Sequence, residues 1–170
     1  MNYDPLSDLS VFLAYSLELE QESAERLREF AGIMEAHHQD TLARTFTELA
    51  VYSDRHAAEV ARICSSHNLP ALKPWEFDWP GDEPPETSGY DAVSYEMTVR
   101  QALEAMLEQE QGSAEFYADV AIRTTNAEIR EYAMNFAAEE REHARALEQW
   151  LKKLGDDRSP PDIDPPQVVD

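Results

Sequence analysis

Glu140 and His143 stand three residues apart in Ala137-Ala138-Glu139-Glu140-Arg141-Glu142-His143-Ala144, a segment of strong helix formers. On a helix the two side chains share one face. Ile129, Ala133, Phe136, Leu147, Trp150 and Leu154 fall on that face too, so the pair projects among apolar groups. A carboxylate there costs several kcal/mol unless something neutralises it. A divalent metal does so directly, and Glu-x-x-His on an inward helix face is a spacing that holds such an ion between helices. Other helices must then supply the remaining ligands.

The elements that position them read as four helices. From Pro5 to about Ala36 apolar residues recur at Leu9, Leu13, Leu17, Ala24, Leu27 and Ala31, with Asp4 as the expected N-cap, and Glu20 interrupts the apolar face. A second helix is expected from Thr41 to Ser66, capped by Asp40, with His56 inward beside Leu49, Ser53 and Val60. Residues 68–90 carry Pro70, Pro74, Pro80, Pro84 and Pro85 among Trp75, Phe77 and Trp79, which forbids regular helix. So long a connection suits a crossover between parallel second and third helices, pinned to the bundle by its aromatic residues. Ser88-Gly89-Tyr90-Asp91 resembles a capping box, and a third helix is expected from there to about Arg123, with Glu110 in the middle of its apolar face. Thr124-Thr125-Asn126 caps a fourth helix from Ala127 to Leu154, stopped by Gly155. The expected organisation is an all-α four-helix bundle over residues 1–155, followed by an acidic, Pro-rich tail, 156–170, with little to bury.

Bulk properties narrow the partners. The 170 residues carry a formal net charge of −21, which argues against nucleic acid and anionic membrane surfaces and favours cations. A single cysteine, Cys64, excludes an internal disulfide and any four-thiolate iron or zinc centre within these residues. The start of the chain has no basic, apolar leader pattern and no stretch approaches a membrane span, so a soluble cytoplasmic protein is expected.

An internal repeat joins the candidate residues. Glu20-Gln21-x-Ser23-Ala24-Glu25 matches Glu110-Gln111-x-Ser113-Ala114-Glu115 at an offset of 90, and helices two and four match at an offset of 87. The second register aligns Leu49 with Phe136, His56 with His143 and Val60 with Leu147. Two related helical hairpins around a pseudo-twofold axis would bring Glu20, His56, Glu110, Glu140 and His143 to one level. Carboxylates with imidazoles suit iron, manganese or zinc.

On these motifs, with Tyr117 seven residues after Glu110, residues 5–154 resemble a rubrerythrin-type member of the ferritin-like superfamily. The resemblance implies two iron ions, Glu20 and Glu110 as terminal ligands, His56 and His143 as nitrogen ligands and Glu140 as a bridging carboxylate. It implies Tyr117 as the catalytic-site residue that hydrogen-bonds a ligand carboxylate. Three departures stand out. Ser53 occupies the place of the family's other bridging Glu, and Ser113 that of a further Glu after the helix-three ligand. The family's appended rubredoxin domain has no counterpart in these residues.

The implied function is a di-iron oxidoreductase that reduces hydrogen peroxide, or oxidises Fe²⁺ with peroxide or dioxygen, taking electrons from an external donor. The alternative is a structural or iron-handling bundle with an incomplete site, holding one metal or a redox-silent zinc. A homodimer is the expected assembly.

Overall fold

The computed structural model describes residues 3–79, 94 and 96–154. Four helices, α1 (Leu9–Ala36), α2 (Asp40–Cys64), α3 (Val99–Arg123) and α4 (Ala127–Leu154), form the described chain, with one 3₁₀ turn at Pro74–Glu76 and no strand among the described residues. Gly155, the segment Ser88–Asp91 and the tail 156–170 lie outside the described residues.

The helix starts follow from local hydrogen bonding. Asp8, not Asp4, caps α1: its carboxylate accepts from the backbone N–H of Ser10 at 2.9 Å, while Asp4 holds a separate turn by accepting from the Leu6 N–H and the Ser7 hydroxyl. Asp40 is the first residue of α2 rather than its cap, because residues 37–39 are consumed in closing α1. There the Gln39 N–H donates to the Met34 carbonyl, with His38 in the left-handed region at φ 57°. Helix α3 begins at Val99, later than expected, where Thr98 and Gln101 form a reciprocal capping box. Helix α4 has the expected bounds; Asn126 Oδ1 accepts from the N–H groups of Glu128 and Ile129.

Three-residue connections fold α1 against α2 and α3 against α4, and contact is extensive within each hairpin but slight between α2 and α3 and between α1 and α4. The first part of the crossover lies where its aromatic side chains hold it. The Asp78 N–H donates to Tyr15 Oη at 2.7 Å, and Trp79 packs against Tyr15 and Phe116 with ring centroids 4.9 and 5.6 Å away. No described helix is long and apolar enough to cross a membrane.

The buried apolar side chains divide into two clusters. One, around Phe12, Tyr117, Val120, Ile129 and Phe136, occupies one end of the bundle, and the other, around Leu27, Phe46, Leu103, Met106 and Leu147, the opposite end. Between them in sequence, on all four helices, lie the buried polar residues Glu20, Ser23, Ser53, His56, Glu110, Ser113 and Glu140. Burying this layer against hydrocarbon is unfavourable unless its members satisfy one another or an ion.

Candidate metal centre

Each hairpin contributes a carboxylate and an imidazole in contact. In the first, His56 Nδ1 lies 2.9 Å from Glu20 Oε2; in the second, His143 Nδ1 lies 3.2 Å from Glu110 Oε2. The internal repeat is thus a repeat of contacts. Glu140 stands between the two pairs, its oxygens 3.1 Å from His56 Nδ1 and 3.4 Å from His143 Nδ1. The imidazole rings are perpendicular, with centroids 5.0 Å apart. All five residues singled out from sequence therefore converge, and Tyr117 joins them by donating its hydroxyl proton to Glu20 Oε1 at 3.0 Å.

Two further residues touch the imidazoles. Glu139 Oε2 lies 2.8 Å from His56 Nε2, on the side of the ring away from Glu20. Tyr52, which the offset of 87 aligns with Glu139, stands edge-on to the His143 ring at 4.5 Å. The apolar-face pattern does not reveal Glu139, because it is one residue out of phase with Glu140 and its side chain is 43% exposed. The repeat register carries the signal: whatever occupies position 52 or 139 lies beside a site histidine. Trp150, expected on the inward face, sits instead at the rim, 41% exposed.

Electrostatics follow from this packing. Burial opposes a charge on His56, but hydrogen bonds and attraction from Glu20 and Glu139 outweigh it and push the imidazole up to about 9. Burial likewise opposes ionisation of Glu110, yet its hydrogen bonds with Glu140 and His143, and the nearby charge of His143 and His56, hold it below the usual carboxylate range. A proton on His56 would do here what a bound cation would do, offsetting the charge of buried carboxylates.

The donor set fits divalent metal. The ligand atoms of His56, Glu140 and His143 lie within 4.8 Å of one another, and Glu20 and Glu110 flank that group through their histidines. Both imidazoles turn Nδ1 towards the carboxylates, so a metal held among them would meet the two Nδ1 atoms. Oxygen and imidazole donors without thiolate suit iron, manganese or zinc. The bridge that Glu140 could make has no twin, since Ser53, buried at the pseudosymmetric position, has no carboxylate.

Comparison with known proteins identifies the family and the fold. The rubrerythrin family model matches residues 11–151. A crystal structure of an uncharacterised conserved protein from Magnetospirillum magnetotacticum MS-1 is similar, with 32% identity, 95% of this chain and 99% of that chain covered, and a TM-score of 0.64. Curated proteins give no significant match. The fold is therefore that of a ferritin-like four-helix bundle, and the chain belongs to the rubrerythrin family.

Proposed function

We propose that this protein is a di-iron oxidoreductase of the rubrerythrin type, reducing peroxide or oxidising Fe²⁺ with electrons from a separate donor. The observation that carries the proposal is the convergence of Glu20, Glu110 and Glu140 with two imidazoles between apolar clusters, on Nδ1–carboxylate distances of 2.9 to 3.4 Å. Glu20, His56, Glu110, His143 and the shared Glu140 would hold the metals. Two iron ions bound there would supply the electron pair that cleaves the O–O bond of peroxide, two protons and two electrons converting it to two waters.

The chain's own residues set the conditions. Tyr117 donates its hydroxyl hydrogen bond to Glu20 Oε1, fixing that carboxylate and leaving Oε2 for the centre. With metal bound, Glu139 would accept from the His56 Nε2–H and leave the Nδ1 lone pair to the ion. The cluster of Phe12, Tyr117 and Phe136 excludes water on one side of the layer. One cysteine cannot supply a rubredoxin-like iron centre within these residues, hence the separate donor, and a cytoplasmic location matches the need for one. The strongly negative charge leaves nucleic acid and anionic membranes out of the partners we assign. A homodimer completes the assignment, and a monomer mass by equilibrium sedimentation would remove it.

The test is oxidation of protein-bound Fe²⁺ by peroxide. Two irons per chain, oxidised faster than free Fe²⁺ in the same buffer, are the expected result; oxidation no faster than free iron refutes the proposal. A buried Ser53 favours a second reading, a single structural ion held by His56, Glu140 and His143. Anomalous diffraction showing one ion, whose removal lowers stability without loss of turnover, is what that reading requires.

A further inference from the structure

A cavity of about 220 Å³ opens from the surface onto the His143 side of the centre. Its walls include Leu49, Tyr52, Ala146 and Trp150, and it reaches Glu110 and His143. Peroxide and dioxygen need neither this much room nor an aromatic rim.

The internal repeat shows how the two sides differ. At an offset of 87, Leu49 corresponds to Phe136, Tyr52 to Glu139 and His143 to His56. Phe136 stands edge-on to His56 at 6.4 Å and packs inward against Phe12 and Tyr117, while the Glu139 carboxylate reaches the His56 ring. On the other side the smaller Leu49 and the ring of Tyr52, 4.5 Å from the His143 ring, take those places. The cavity beside His143 thus opens where the hairpins differ, between an aliphatic wall and the rings of Tyr52 and Trp150.

We propose that the cavity binds a single-ring aromatic molecule of the phenol class, its ring lying between Leu49 and the rings of Tyr52 and Trp150 and its hydroxyl donating to the Glu110 carboxylate. An apolar cavity of about 150 Å³ is known to take benzene, so the volume suffices. Trp150 and Tyr52 present aromatic surface to such a ring, and Arg55 and Glu48 line the cavity as well. The proposal deepens the functional assignment above and rests on it for any chemistry, because the ring would lie against two of the residues proposed to hold metal.

The probe is phenol, titrated into the full-length protein, metal-free and zinc-loaded, with the indole N–H resonance of Trp150 as readout. Saturable binding of one phenol per chain is expected. Leu49→Phe, which enlarges a side chain of the cavity wall, should weaken phenol at least tenfold while leaving iron per chain unchanged. Ala146→Phe, at an exposed position, should block the mouth to the same degree without touching the core. No saturable shift in the wild type, as when a second copy of the chain covers the cavity, overturns the proposal, and so does unchanged affinity in both variants. Metal content measured on the same samples separates the two assignments: phenol bound without metal supports the ring site and removes the redox reading, and metal bound without phenol does the reverse.

Discussion

His56 Nε2 lies 2.8 Å from Glu139 Oε2, and the Nδ1 of the same ring lies 2.9 Å from Glu20 Oε2, so carboxylates hold the imidazole at both ends. The Glu20 contact belongs to the centre itself. Glu139 lies outside it, placed to accept from Nε2–H and so to orient the ring if Nδ1 binds a metal. His143 has Tyr52 near its ring instead.

Glu139→Ala should therefore lower metal affinity by roughly 10- to 100-fold, the usual cost of removing the partner that orients a histidine ligand. Glu139→Gln, which keeps an acceptor for the Nε2 proton, should recover part of the loss. Competition with a chelator of known affinity measures both, and equal affinities for wild type and Glu139→Ala would show that the contact orients nothing.

Stability of the metal-free protein should depend on pH on two limbs. His56 rises from 6.5 to about 9 in the folded state, so its contribution is complete below about pH 6.5 and is lost as pH climbs through about 9. The full loss is on the order of 3 kcal/mol. Glu110, held below its ordinary 4.5, contributes above that value and loses its contribution as pH falls through its lower folded value. Urea unfolding across pH should place the optimum between these limbs. Metal replaces the Nδ1 proton, so saturation with zinc should flatten the alkaline limb and release protons at neutral pH. An unchanged alkaline limb would mean that His56 is not a ligand.

Tyr117 donates to Glu20 from the opposite hairpin, and both residues are buried. Tyr117→Phe keeps the ring packed against Phe12 and Phe136 but removes the donor. A cost of about 1–3 kcal/mol to the metal-free protein is expected from the unsatisfied carboxylate oxygen. Metal binding should compensate in part by engaging that oxygen. Denaturation midpoints with and without zinc measure the difference, and equal losses in both states would separate Tyr117 from the centre.

The sequence was most informative where periodic burial carried the signal. Glu20, His56, Glu110 and Glu140 were legible because each breaks an apolar stripe in phase, and α4 because Asn126 and its helical pattern agree. The start of α1 was not, since Asp4 and Asp8 are both competent caps and only the backbone path decides between them. The start of α3 was lost for a similar reason: Thr98 and Gln101 form a cap that composition alone does not rank above an earlier one. Glu139 lies off the inward face and becomes visible only when the contact across the bundle is known.

Ser53 offers the sharpest test of how the two halves differ. It is buried, and the repeat places it opposite Glu140, so Ser53→Glu would install a second carboxylate between the imidazoles. Without metal, a fourth buried acid adds charge that two histidines cannot neutralise, and stability should fall by about 3 kcal/mol or more. With iron or zinc the sign should reverse, because the new oxygens add ligands to two ions at once. The expected signature is a metal-free melting temperature below that of the wild type, a loaded one at or above it, and a second metal bound more tightly. A variant destabilised equally in both states would mean that position 53 does not face the ions, and the repeat would then describe packing rather than coordination.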